Sequence, residues 1–247
     1  MLKAYNRQYD QYMKLKVMLK NNLISLLDQT FPDINSLFQS SPRKSDGHEK
    51  WADFTLKFWH CESVTNVSQK SFAERYQRWC KKSGYNYSAT KAQTIYSFAA
   101  EIISTLPKID AVRQLIINAI AQLNTITETL SATQREMLRL ASQLPECPVI
   151  MQMFGVGETL GPQLIAEIGD VRRFERKQSL GAFAGVDAPP YQSRTFEAKK
   201  RNISKRGSPF LRKTLVKQGQ IQAEQGKSGH EPADHLSGNA LPYTDIG

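Results

Sequence analysis

A long run of mostly apolar residues at alternating steps of three and four constrains the fold of this chain more than any other feature. The run consists of Ile109, Val112, Ile116, Ala119, Leu123, Ile126, Leu130, Thr133, Met137, Leu140 and Leu144. Such spacing forms the seam of a coiled coil, here about five heptads long. Pro107, Pro145 and Pro148 limit the helix because proline cannot donate into a helical ladder. We therefore expect a coiled-coil helix over residues 107–146.

This stripe, called the α6 seam below, is compatible with two kinds of structure. It can pair with a second chain, or it can form one face of a helical bundle within a single chain. Leaving the stripe in water is costly, at roughly 25 cal/mol per Å² of apolar surface. On this ground the sequence predicts a homo-oligomer assembled through the coiled coil.

The region before the coiled-coil helix, residues 1–106, is predicted to be a helical linker region. A first helix should end before Phe31 and pack against the coiled-coil helix. Its seam consists of Leu2, Tyr5, Tyr9, Tyr12, Leu19, Leu23 and Leu26, with Lys16 as the polar interruption. Residues 39–50 are predicted to form a loop. Aromatic residues at helical spacing then predict core packing, with Gly84 ending a helix: Trp51, Phe54, Phe58, Phe72, Tyr76 and Trp79.

Composition and cysteine usage exclude several classes of protein. The 247 residues are 40% hydrophobic, enough to bury one or two cores. No apolar run is long enough to span a bilayer and the first residues do not resemble a signal peptide, so we expect a cytoplasmic protein without membrane partners. Cys61, Cys80 and Cys147 form no C-x-x-C pair and have no neighbouring histidine cluster. The sequence therefore predicts neither disulfides nor a metal site.

The positive charge is concentrated in one stretch. The chain carries 33 Lys or Arg and 23 Asp or Glu, a net charge of +10. Residues 170–213 alone hold twelve basic and four acidic residues. This balance suits a partner made of phosphates.

A glycine-containing segment precedes the basic stretch and is typical of a helix-hairpin-helix. Gly155 and Gly157 would allow a tight turn, and the backbone N–H groups at the start of the next helix would then face a nucleic-acid phosphate without reading sequence. Basic residues beyond it favour this interpretation over a purely structural hairpin: Arg172, Arg173, Arg176 and Lys177.

A proline-set loop and a second group of cations follow. The cations expected to bind nucleic acid are Lys199, Lys200, Arg201, Lys205, Arg206 and Arg212. Ser193 stands on the loop beside them. A serine next to arginines can act as a nucleophile on phosphorus, although its spacing alone is also compatible with an ordinary loop residue.

The order of these motifs resembles the C-terminal domain of insertion-sequence-110 family transposases. The resemblance covers residues 154–215 and is carried by GVGETLGPQLIAEIGD, LGAFAGVDAP, YQS and ISKRG-x-x-x-LRK. The first helix, with Lys-Asn-Asn-Leu at residues 20–23, also resembles the linker of that family. The resemblance implies a mainly α fold: long coiled-coil helices, then a transposase domain with a helix-hairpin-helix over residues 147–215.

The resemblance also implies a mechanism. Members of this family are DNA recombinases guided by a structured bridge RNA. A RuvC-like domain binds a divalent metal, most simply magnesium, through four acidic residues, and the C-terminal domain supplies a serine nucleophile. In this chain that serine corresponds to Ser193. DNA and a structured guide RNA are the implied partners.

Three departures from the family pattern accompany the resemblance. Arg194 follows the serine where the family has glycine, the four metal-binding carboxylates have no counterpart, and residues 216–247 form a polar segment expected to be disordered. We therefore expect no metal cofactor in this chain and no DNA cleavage by this chain alone. The alternative is a catalytically inactive, self-associating nucleic-acid-binding protein of transposase ancestry.

Overall fold

The computed structural model describes residues 1–187, 192–193, 196–197, 203 and 205–217, and it is mainly α-helical, as predicted. The helices are α1 (Leu2–Leu27), α2 (Lys50–Thr55), α3 (Glu62–Thr65), α4 (Gln69–Ser83), α5 (Ala89–Glu101), α6 (Asp110–Ala141), α7 (Cys147–Met151), α8 (Leu160–Ile168), α9 (Lys177–Ala184) and α10 (residues 209–217). Short 3₁₀ helices span Ile34–Leu37 and Val171–Arg173, and strands β1 (Gln192–Ser193) and β2 (Phe196–Glu197) form an antiparallel pair. None of the described helices is long and apolar enough to cross a membrane.

The chain divides into two compact units, Met1–Leu140 and Ala141–Gly247, called the first and the second unit below. Helix α6 therefore groups with the residues that precede it. The predicted limits of the four regions, residues 1–106, 107–146, 147–215 and 216–247, stay predictions. Residues 218–247 lie outside the described part of the chain.

Helix α1 confirms the prediction from its apolar spacing, because it ends at Leu27, before Phe31. Leu23 and Leu27 are buried, and Tyr12 and Leu19 pack against the same core. Residues of α6 belong to that core too, so the two long helices share it, as expected. Lys16 interrupts the stripe, and burial lowers the pKa of its amine.

Helix α6 confirms the long helix predicted from the apolar spacing. The burial of its seam, however, changes the argument for an oligomer. Between Val112 and Met137 most residues of the α6 seam are buried within the single chain, Ile116 and Met137 to 1% exposure. Only Ile109 and Leu144, beyond the helix ends, are largely exposed. The structure thus favours the face of a bundle within one chain, and this burial removes the cost of an exposed seam as an argument for an oligomer. Coiled-coil geometry and self-association stay predictions.

The predicted aromatic core is confirmed. All six aromatic residues named for it are buried. Phe54 lies at the centre, with its ring centroid 4.7 Å from that of Phe58 and 5.6 Å from that of Trp79. Gly84 ends α4 in the left-handed conformation, with φ of 70°, as its position predicted. This cluster holds α2 and α4 together with the other short helices of the first unit.

The segment predicted as a loop is irregular but anchored by a polar network. The Arg43 guanidinium donates to the carboxylate of Asp46, with Nε 2.9 Å from Oδ1, and to the carbonyl of Ser83. The Tyr85 hydroxyl donates to Asp53 Oδ2 at 2.7 Å, and His48 Nδ1 lies 3.3 Å from Asp53 Oδ1. Hydrogen bonds from Arg43 lower the pKa of Asp46 to about 2.

Candidate nucleic-acid interface

Helices α7 and α8 pack against each other and are joined by the predicted glycine-containing loop. Gly155 turns the chain there with φ of 77°, in the region that favours glycine. The next residue, Val156, is buried in the core of the second unit. A side chain at Gly161 would collide with Met151 Sδ, so the Met151 side chain of α7 packs directly against the backbone of α8. The arrangement is a helix, a tight loop and a helix, and its assignment as a helix-hairpin-helix stays a prediction.

The two glycines of the loop differ in role, which corrects the expectation that both make the turn. Gly155 has a positive φ, whereas Gly157 does not. Gly157 is exposed, and no described atom lies within 4 Å of the position that its Cβ would take. Gly157 therefore leaves the backbone before α8 accessible, while Gly155 alone needs the left-handed conformation.

A second pair of glycines brings α9 against the segment that leads into α10. Gly185 follows α9 with φ of 67°, and a Cβ there would lie 2.6 Å from Gly207 N. A Cβ at Gly207 would collide with the backbone of Phe183 and of Gly185. Ser208 N donates to Phe183 O at 2.7 Å, and Lys205 N donates to Gly185 O at 3.1 Å. The two backbones are thus in direct contact.

The start of α10 is fixed by side chains as well. Ser208 Oγ accepts a hydrogen bond from Leu211 N and donates to Glu167 Oε2, both at 3.3 Å. Glu167 is on α8 and only 2% exposed. Arg212 Nη1 donates to the carbonyl of Ala184 at 3.2 Å. Arg212, predicted to bind nucleic acid, therefore stabilises the backbone beside Gly185.

Two further predicted cations have partners within the second unit. Arg172 is 78% exposed at its side chain, but its Nε lies 3.4 Å from Asp170 Oδ1. The Arg173 guanidinium carbon lies 4.4 Å from the ring centroid of Phe183 and 4.6 Å from that of Phe174, so it lies over a pair of aromatic rings whose own centroids are 5.3 Å apart. A guanidinium held in this way keeps its charge near the surface while losing little freedom on binding a phosphate.

Three of the predicted cations are exposed and make no ion pair among the described residues: Arg176, Lys205 and Arg206. Lys205 adopts φ of 55°, which is uncommon for lysine. Its backbone N–H donates a hydrogen bond to the carbonyl of Gly185. Lys177 is the first residue of α9, and only its backbone is described. Lys199, Lys200 and Arg201 lie outside the described residues.

The structure brings some of these residues together and separates others. Phe183 contacts Arg173 through its ring and Ser208 through its backbone carbonyl, so the segment before α9 and the segment before α10 both reach one residue. The glycine loop lies at the opposite end of α8. Nine residues of helix separate the two ends, about 13 Å at 1.5 Å per residue.

Ser193 lies in a β-strand, which differs from the loop expected for it. It ends β1, and its Cα pairs with that of Phe196 across the antiparallel pair. The strands are joined by residues 194–195, which lie outside the described residues, as does the side chain of Ser193. The backbone before this connection is therefore fixed by strand pairing.

The described residues offer no ligand set for the divalent metal that the family resemblance implies. Among the residues that the structure describes, no group of three or more His, Cys, Asp or Glu side chains is suited to hold a metal ion. The carboxylate of Glu167 is bonded to Ser208 and that of Asp170 faces Arg172.

Comparison with known proteins finds a family match within the second unit. Residues 147–231 match the model of the transposase IS116/IS110/IS902 family, about one third of the chain. The transposase for insertion sequence element IS1111A of Coxiella burnetii (strain RSA 493 / Nine Mile phase I) is 26% identical over 118 residues. That alignment covers 48% of this chain and 31% of the relative, so the chain spans less than a third of that transposase's length. The region from α7 onward is thus similar to the transposase domain of an insertion-sequence family.

Proposed function

We propose that this chain acts in DNA transposition and that its second unit binds the phosphate backbone of DNA and of a structured guide RNA. The observation that carries the proposal is the exposed set Arg176, Lys205 and Arg206, in a region that matches a transposase family model. Arg173 adds an oriented guanidinium in the same unit. Contacts of this kind are independent of sequence and release counterions, so binding should weaken steeply with salt.

Binding is tested with a double substitution that removes two positive charges and keeps both side chains polar. Lys205→Gln with Arg206→Gln should weaken binding to a DNA duplex and to a structured RNA. The salt dependence of the binding constant should fall too, by about 0.9 in log–log slope for each B-DNA phosphate that the variant no longer neutralises. The matched control is Lys70→Gln with Lys81→Gln, two exposed lysines of α4 in the first unit. Equal affinity of both variants for nucleic acid would contradict the proposed interface.

We further propose that Ser193 is the nucleophile. Its hydroxyl would lose a proton and attack phosphorus, forming a serine–phosphate ester while the bond to the leaving strand oxygen breaks and that oxygen takes up a proton. The support is the resemblance around Tyr-Gln-Ser and the fixed backbone of β1. Cations of the same unit would stabilise the charge on the phosphate oxygens.

The chemical role is tested by a covalent intermediate. The chain is incubated with a candidate element end, its flanking RNA and magnesium, with and without a separately expressed RuvC-like domain. We expect a protein–DNA adduct that needs the added domain, that Ser193→Ala abolishes, and that the exposed-serine control Ser179→Ala retains. If nucleic acid binds but no serine-dependent adduct forms in either mixture, the inactive binding protein is the better description.

A further inference from the structure

The first unit carries a cationic surface that sequence reasoning did not single out. Arg75, Arg78 and Lys82 are exposed and follow one face of α4 at steps of three and four. Lys57, just after α2, lies within electrostatic range of all three. Its pKa is lowered by burial first and then by Arg78, Arg75 and Lys82. Four positive charges are therefore close together.

The surface is concave as well as charged. Three depressions of about 400, 550 and 680 Å³ adjoin there, and each is lined by Lys57. Arg78 lines the two larger ones, and Lys108 the two smaller ones. We call the following six residues the α4 patch: Lys57, Arg75, Arg78, Lys82, Lys108 and Arg113.

Carboxylates do not neutralise the α4 patch. Asp110 lines the smallest depression, and Asp53 lines the largest. Asp53, however, accepts from Tyr85 and faces His48 and Arg43. Among the described residues, no cation of the α4 patch makes an ion pair, and Arg78 donates instead to the carbonyl of Glu74 at 3.3 Å. Six cations beside the single carboxylate of Asp110 leave an excess of positive charge, and such a surface gains free energy when an anion binds.

We propose that the α4 patch binds the phosphodiester backbone of a nucleic acid, as a surface of its own on the first unit. Its extent favours a polyanion over a single phosphate, because Arg75 and Lys82 are seven residues apart on α4, about 10 Å along the helix. Over that distance a duplex presents about six phosphate charges. A small anion would occupy one depression, whereas a nucleic-acid strand would cross all three. This inference does not rest on the function proposed for the second unit.

The test compares two variants of equal charge on the same helix. Arg75→Gln with Arg78→Gln removes two patch charges, while Lys70→Gln with Lys81→Gln removes two exposed charges outside the patch. We expect the first variant of the full chain to bind nucleic acid about tenfold more weakly at ~50 mM salt, with the log–log salt slope reduced by about 2 on B-DNA. The control variant should change both quantities little. Equal loss in the two variants would overturn the proposal.

A footprint locates the binding independently of affinity. Amine acetylation read by mass spectrometry should slow at Lys57, Lys82 and Lys108 when nucleic acid is added, and stay unchanged at Lys70 and Lys81. The probes are a DNA duplex of arbitrary sequence and an RNA hairpin, and the probe that gives the larger protection identifies the source of the phosphates. Absence of protection at Lys57 with both probes would overturn the proposal. Weakening by Lys205→Gln with Arg206→Gln reports on the second unit alone, so either surface can fail without the other.

Discussion

The two units of this chain are stabilised in different ways. The first unit has a core of large side chains, in which Phe54, Phe72 and Tyr76 are completely buried. The core cluster of the second unit contains, among its described residues, only five buried side chains: Val156, Leu160, Leu164, Ala184 and Leu211. The second unit depends more on close backbone approach and on single hydrogen bonds. The transposase-like motif occurs in the unit whose described residues form the smaller core cluster.

This difference explains what the recognisable motif residues do. Gly185 and Gly207 of the quoted motifs, together with the neighbouring Ser208, join α9 to the start of α10, and Arg212 of the motif donates to the Ala184 carbonyl. Their contacts are structural. The charged residues beside them, Lys205 and Arg206, face solvent. The motif thus combines closely approaching glycines with solvent-exposed cations, to which the proposed function assigns phosphate binding.

The largest effect is expected for Phe54→Ala. Its ring contacts those of Phe38, Phe58, Tyr76 and Trp79, so truncation leaves a cavity among aromatic side chains. The free energy of unfolding of the first unit should fall by about 3–5 kcal/mol. Hydrogen exchange followed by mass spectrometry measures this locally, in α2 and α4. The control, Leu56→Ala at a 38% exposed position, should change it by less than about 0.5 kcal/mol.

A somewhat smaller effect is expected for Gly207→Ala in the second unit. The added methyl group would collide with backbone atoms of Phe183 and Gly185, which cannot move without separating α9 from α10. We expect a loss of about 3 kcal/mol, read as faster exchange in residues 177–187 and 205–217. Gly181→Ala is the control, since it has open space within α9 and alanine favours helix there. Similar exchange in the two variants would mean that the glycine contact is not what holds this unit.

Acid should weaken the first unit through Asp46. The pKa of this carboxyl is about 2 in the folded chain against 3.8 ordinarily, chiefly because Arg43 donates hydrogen bonds to it. A depressed pKa contributes stability above pH 4 that is lost as the pH falls toward 2. Because the side chain is partly exposed, the contribution is about 1 kcal/mol. Unfolding by denaturant at pH 5 and pH 2.5 measures it, and Asp46→Asn should remove most of the difference attributable to this residue.

Much of the fold could be predicted from the sequence because its signals are periodic. The seams of α1 and α6 and the aromatic spacing predicted helices whose buried faces the structure confirms, such as Ile116 and Phe54. Gly84 predicted a helix end because only a residue without Cβ adopts its conformation without strain. Periodicity does not say what covers an apolar stripe. The burial of the α6 seam within one chain therefore required the structure.

The candidate sites were less predictable, because counting charge along the chain finds only cations that are close in sequence. Residues 170–213 hold most of the net charge, and Arg176, Lys205 and Arg206 were found in that way. The α4 patch was missed because its cations come from separate segments, and Lys57 meets Arg78 only after folding. The one available signal was the spacing of Arg75, Arg78 and Lys82. Counting charge also predicted Arg212 as a binding residue, whereas in the structure its guanidinium donates to the Ala184 carbonyl.

The smallest effect on stability is expected at the exposed apolar residues of α1, which bear on self-association. Val17 and Met18 are 53% and 67% exposed and lie off the buried face of the helix, whereas Leu123 of the α6 seam is 3% exposed. Leu123→Asp would place a carboxylate in the core of the first unit, so a loss of assembly in that variant could not be separated from a loss of stability. Val17→Ser with Met18→Gln should change the free energy of unfolding by less than about 0.5 kcal/mol. If α1 forms the contact between copies, this variant should lower the assembled fraction in light scattering.

Ile103→Ser with Leu115→Ser, at positions 89% and 54% exposed, is the matched control and should leave assembly unchanged. A compact wild-type monomer at micromolar concentration would show that the prediction of self-association is wrong, because neither α1 nor the α6 seam would then need a second chain.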